Sequence, residues 1–138
     1  MKRNPSPNTI QYDEFAEWLD SIFCAGVPSN VTGIVFNIYE ESDCRHYIEA
    51  AGYSSSIENG DQWMGGESAD CGTRMNPYWM EKTSWDVVLI TEEDLLSATK
   101  SSLEKYLKIG KCANILKAVD ALAVRLEHGN LEMVYIKN

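Results

Sequence analysis

Apolar residues Phe15, Trp18, Leu19, Ile22 and Phe23 recur at the spacing of one helix face, while Asp13, Glu14, Glu17 and Asp20 fall mostly beside or opposite them. This predicts an amphipathic helix that ends at Gly26 and Pro28. Phe15 and Trp18 read as core residues, because such a stripe must be buried. The spacing then changes. Residues Val31 to Tyr39 are β-branched and aromatic, the polar break Glu40-Glu41-Ser42-Asp43 follows, and Cys44 to Ala51 resumes a strand-like run. That is the pattern of a β-hairpin. Residues 52–84 are rich in glycine and poor in aliphatic side chains, which predicts a long irregular segment with room for a short strand or helical turn.

Helical spacing returns with Leu95, Leu96, Thr99, Leu103, Tyr106 and Leu107. Trp85 to Ile90 precedes it as a short strand or helix entry, and Thr91-Glu-Glu-Asp94 has the form of a variant capping box. Gly110 stops this helix, and a shorter one is expected through Cys112, Ala113, Ile115, Leu116 and Val119. The chain closes on a hairpin in which Leu122, Val124 and Leu126 alternate with polar or small residues and Leu131, Met133 and Tyr135 continue the alternation. A His128-Gly129 turn would pair Leu126 with Leu131, Val124 with Met133 and Arg125 with Glu132. It is preferred over a Gly129-Asn130 turn, which sets Glu127 against Glu132. Two hairpins and helices that do not alternate singly with strands predict an α+β fold. Its antiparallel sheet is built from hairpins with helices packed on one face. The length of 138 residues suits one domain, with residues 1–6 as a loose tail.

Charge sharpens the picture. The chain carries a formal net charge of −9, and residues 4–73 hold twelve acids against one base, Arg45, whereas residues 74–138 hold nine of each. Nucleic acid is a poor partner for such a surface, since phosphate contacts need clustered Lys and Arg. The lysines between 100 and 117 read as a solvated helix face. No apolar run is long enough to cross a membrane, and the start Met1-Lys-Arg-Asn-Pro5 leads into polar residues rather than a signal-peptide core, so a cytoplasmic location is expected.

The search for chemistry yields little. Cys24, Cys44, Cys71 and Cys112 form no CxxC pair, so free buried thiols are expected rather than a disulfide framework or a structural zinc site. Cys44 and His46 fall on one face of a strand, which would suit a dyad or half a metal site, but no third group or oxyanion signature accompanies them. Phosphate-loop, GxSxG, HExxH and EF-hand patterns are absent. Neither a catalytic apparatus nor a cofactor is expected. The alternative is a small enzyme or ligand-binding domain that uses Cys44, His46 and the loop 57–80.

Four short stretches carry a resemblance: Phe36-Asn-Ile-Tyr-Glu40, Glu49-Ala-Ala-Gly52, Asp61-Gln-Trp63 and His128-Gly-Asn-Leu-Glu132. Over residues 31–138 their order resembles immunity proteins of bacterial polymorphic-toxin and contact-dependent growth inhibition systems. The resemblance implies a cytoplasmic inhibitor, monomeric or homodimeric, that binds a cognate toxin domain, for instance a nuclease, and blocks its active site or substrate access. Met64-Gly65-Gly66-Glu67 departs from the acidic continuation such proteins have after the tryptophan. With the charge asymmetry, this points to a partner surface made by Glu40, Glu41, Asp43, Glu58, Asp61, Trp63, Glu67 and Asp70.

Overall fold

The computed structural model describes residues 11–27, 31–42, 45–53, 71–72, 77–81, 92–127, 129 and 131–137. Helix α1 spans Tyr12–Phe23, strands β1 and β2 span Gly33–Ser42 and Arg45–Tyr53, and the short strands β3 and β4 span Cys71–Gly72 and Tyr78–Glu81. Helices α2 (Glu92–Ile109) and α3 (Ala113–Lys117) precede the closing strands β5 (Ala121–Leu126) and β6 (Glu132–Ile136). The fold is α+β, as the residue pattern predicts. The sheet runs β3-β2-β1-β5-β6, with β4 also paired to β2. It is not purely antiparallel, because β5 returns beside β1 in the same direction, with Ile34 opposite Leu122 and Phe36 opposite Val124.

Alternation along the central strands decides where the core lies. Ile34, Phe36 and Ile38 of β1, Ile48 and Ala50 of β2, and Leu122 and Val124 of β5 point to one face. There they join Phe15, Trp18, Leu19 and Phe23 of α1 and Leu95, Leu103, Tyr106 and Leu107 of α2 in the main core. Helices α1, α2 and α3 all contribute to this face. The α1 stripe is the one its spacing predicts, with Ile22 only half-buried at the margin. Trp18 and Phe23 meet Phe36 edge-on, and Phe15 meets Tyr78 edge-on. Gly26 follows the helix with φ of 105°, a left-handed conformation that a side chain would strain.

Within the segment 52–84, the short strands β3 and β4 pair with β2, in the room that its composition left for a short strand. Three expectations need correction, the purely antiparallel sheet being the first. The final hairpin keeps the preferred register only at its open end, where Ala121 pairs with Ile136 and Leu122 with Tyr135. Nearer the turn the register slips by one, to Ala123–Met133 and Val124–Glu132. The slip places Val134 and Tyr135 beside the main core, but Leu131 and Met133 against the opposite face. A β-bulge has this effect, since one extra residue reverses every later side chain. The Arg125–Glu132 pair therefore does not form: Arg125 bonds Asn37, and Glu132 meets Lys100 at 3.6 Å.

The third correction concerns the cysteines. Cys24, at the C-cap of α1, and Cys112, in the turn between α2 and α3, are joined as a disulfide, with a Cα separation of 5.4 Å. They are 88 residues apart, so their spacing carries no sign of the pairing. Burial of Phe23 and Leu107 in one core brings the two helix ends together.

Candidate protein-binding site

The sheet face turned away from the helices is organised in transverse rows, because β1, β2 and β5 run in register. One row is small and apolar: Ala51, Val35 and Ala123, with Met133 beyond. The next row is polar. Glu49 lies opposite Asn37, and Arg125 flanks Asn37 on the other side. Asn37 is buried, and its Oδ1 accepts a hydrogen bond of 3.1 Å from Arg125 Nε–H, which satisfies an amide otherwise costly to bury.

The outermost row is aromatic. Tyr39 pairs with Tyr47, and Tyr47 with Trp79 on β4. Their ring centroids are 5.3 and 4.9 Å apart, a spacing at which aromatic cross-strand pairs attract. Tyr39 and Tyr47 are half-buried, whereas Trp79 is 39% exposed on its short strand. The phenol of Tyr39 is pushed above its ordinary pKa by burial first and then by the Glu49 carboxylate, against an opposing pull from Arg125. It stays protonated at neutral pH and offers an O–H to a partner.

The sequence-based site residues are distributed unevenly around this row. Glu40 is exposed, one residue beyond Tyr39, and is paired in the ladder with His46, which in turn faces Met80. Glu41 belongs to β1, where the register slips between Glu40 and Ser42. Asp43, Glu58, Asp61, Trp63, Glu67 and Asp70 lie outside the described residues, as does Cys44. Half-buried His46 shares its face with Ile48 and the main core, not with the aromatic row.

Sequence reasoning missed the row itself. Tyr39 and Tyr47 each stand one position from a core isoleucine, Ile38 or Ile48, so period-two alternation already aims them away from the core. Trp79 had no such signal, since its strand is only four residues long. Chemically, the row offers flat aromatic area, a phenolic donor and nearby carboxylates, a combination suited to holding a protein surface. No known protein family, curated protein or solved structure matches the chain. Among the described residues, no helix is long and apolar enough to cross a membrane.

Proposed function

We propose that this protein is an immunity protein of the cytoplasm: it binds a cognate bacterial toxin domain and blocks the toxin's active site or its access to substrate. The observation that carries the reading is the row Tyr39–Tyr47–Trp79 beside Glu49 on the same face of the sheet. Tyr and Trp are the side chains whose burial contributes most at interfaces, and carboxylates around them steer a basic partner into place. A nuclease suits this surface, since a cleft that holds phosphates is basic. The acidic excess of residues 4–73 and the resemblance to immunity proteins favour the same reading. The row then anchors the complex, and the acidic side chains set its rate of formation.

The test uses the toxic C-terminal domain encoded beside this gene, produced as an active-site variant. The purified proteins should form a stable complex, and co-expression with the active toxin should restore growth. Trp79→Ala should release the toxin roughly thirtyfold faster, as loss of a hot-spot tryptophan does. Absence of any complex, together with undiminished toxicity on co-expression, would refute the proposal.

A further inference from the structure

A second constellation lies at the other side of the molecule from the sheet's aromatic row, where α1 ends against the α2–α3 turn. Asp20 and Cys24 are four residues apart, so the helix places them on one face. Cys112 meets them from the turn. A carboxylate oxygen of Asp20 and the sulfurs of Cys24 and Cys112 all lie within 4.8 Å of one another, and all three residues are half-buried.

Tyr106 fixes the arrangement. Its hydroxyl donates to Asp20 Oδ1 at 2.5 Å and accepts from the backbone N–H of Cys112 at 3.0 Å. One buried phenol thus ties the carboxylate to the cysteine-bearing turn. Gly110 lets the turn pass directly over the Tyr106 ring, since any Cβ there would overlap it.

We infer that Asp20, Cys24 and Cys112 form a redox-gated site for a soft divalent cation of the zinc class, closed while the cysteines are joined and open when they are reduced. Two thiolates and one carboxylate are a donor set that zinc accepts, with its fourth tetrahedral position left to water. Zinc–sulfur and zinc–oxygen bonds of about 2.3 and 2.0 Å put tetrahedral donors roughly 3.5–3.8 Å apart. The two sulfurs are bonded to each other and both lie within 4.8 Å of the Asp20 oxygen, so reduction must let them part to reach that spacing, and this is what gates the site. The hydrogen bond from Tyr106 leaves the second oxygen of Asp20 for the metal, as an outer partner of a ligating carboxylate does.

The redox step balances as thiol–disulfide exchange. A dithiol reductant delivers two electrons and two protons to the Cys24–Cys112 bond and is itself oxidised to a disulfide. On binding the metal, the two thiols release their protons to solvent. Ligand pairs close in sequence could not reveal this site, because its second cysteine comes from a distant turn.

Cobalt(II) is the probe, added to the full chain after reduction with a phosphine and anaerobic desalting. The reduced protein should take up one cobalt per chain, with thiolate-to-cobalt charge transfer and tetrahedral ligand-field bands that zinc abolishes. The oxidised protein should show neither. A Cys24→Ser/Cys112→Ser variant should lose the bands, whereas Cys44→Ser/Cys71→Ser should keep them. Tyr106→Phe should keep the spectrum but weaken binding by about 10–100-fold, as loss of an outer-shell partner does. Should the cysteine variants not fold, mass spectrometry of the wild-type chain decides: cobalt should shield Cys24 and Cys112 from alkylation. Failure of the reduced chain to bind cobalt, or alkylation of both cysteines at the same rate with and without cobalt, overturns the inference. So do bands that survive in Cys24→Ser/Cys112→Ser.

Discussion

The staple between α1 and the α2–α3 turn gives the structure a measurable dependence on redox state. Reduction of Cys24–Cys112 opens a loop of 88 residues in the unfolded chain. In the chain-entropy description, closing a loop of that length stabilises the native state by about 4.6 kcal/mol at 25 °C. Measured values fall below this ceiling, in a range of about 2–4 kcal/mol. A chain of 138 residues has an unfolding entropy near 0.29 kcal/mol/K at about 2.1 cal/mol/K per residue, so 3 kcal/mol corresponds to roughly 10 °C in Tm. We therefore expect the Tm in metal-free buffer to fall by about 7–14 °C when a phosphine reductant is added. Scanning calorimetry of oxidised and reduced protein reads this directly. The Cys24→Ser/Cys112→Ser variant should melt where the reduced wild type melts and ignore the reductant. Coincident melts of the two wild-type forms, or a reductant effect that persists in the double variant, would show that the cysteines do not staple the helices.

Other perturbations test separate parts of the argument. Gly110→Ala should destabilise the fold by about 1–3 kcal/mol in urea melts, because its methyl group must displace the fully buried Tyr106 ring. Trp79→Ala should change stability by no more than about 1 kcal/mol, since the residue is 39% exposed on a short strand, and its effect should instead appear in the dissociation rate of the toxin complex. Reversing Glu40 and Glu49 to Lys should slow toxin association and flatten its dependence on salt, read by stopped-flow at several ionic strengths. Burial lifts the phenols of Tyr39, Tyr78 and Tyr106 above 10, that of Tyr106 to about 12 with the Asp20 carboxylate adding to the effect. The native state then keeps protons that the unfolded chain has released, so stability is intact below pH 10 and declines as pH climbs towards 12. Urea melts at pH 9 and 11 should show the decline, and Tyr106→Phe should blunt it.

The elements whose burial repeats along one helix or strand were legible in the sequence. Phe15, Trp18, Leu19 and Phe23 could be assigned to the core because an isolated amphipathic helix has only one way to hide its stripe. The same holds for Leu95, Leu103 and Tyr106 of α2. What failed was information that belongs to two segments at once. No local pattern says that β5 will lie parallel to β1 as well as pairing with β6, because Ile34 and Leu122 are far apart in the chain and meet only through the fold. The bulge near Val134 was also invisible, since Leu131, Met133 and Tyr135 alternate without a break. The packing of Val134 and Tyr135 beneath the helices overrides that alternation, and the hydroxyl of Tyr135 donates to the carbonyl of Lys117.

The two candidate sites differ in the same way. Half of each could be read locally: Tyr39 and Tyr47 from strand period, Asp20 and Cys24 from helix period. The completing residues, Trp79 and Cys112, come from short elements whose position depends on the whole fold. A charge count led towards the acidic loop, since carboxylates dominate residues 4–73, yet charge alone steers a partner and does not hold it. Affinity needs area that is rigid before binding, and cross-strand stacking supplies it in Tyr39, Tyr47 and Trp79. On the proposed reading the acidic residues and the aromatic row play complementary parts: removing charge should alter how fast the complex forms, and removing Trp79 how long it lasts. A variant set that showed the reverse, with Glu40 and Glu49 governing dissociation and Trp79 association, would place the anchor among the carboxylates and overturn the role given to the aromatic row.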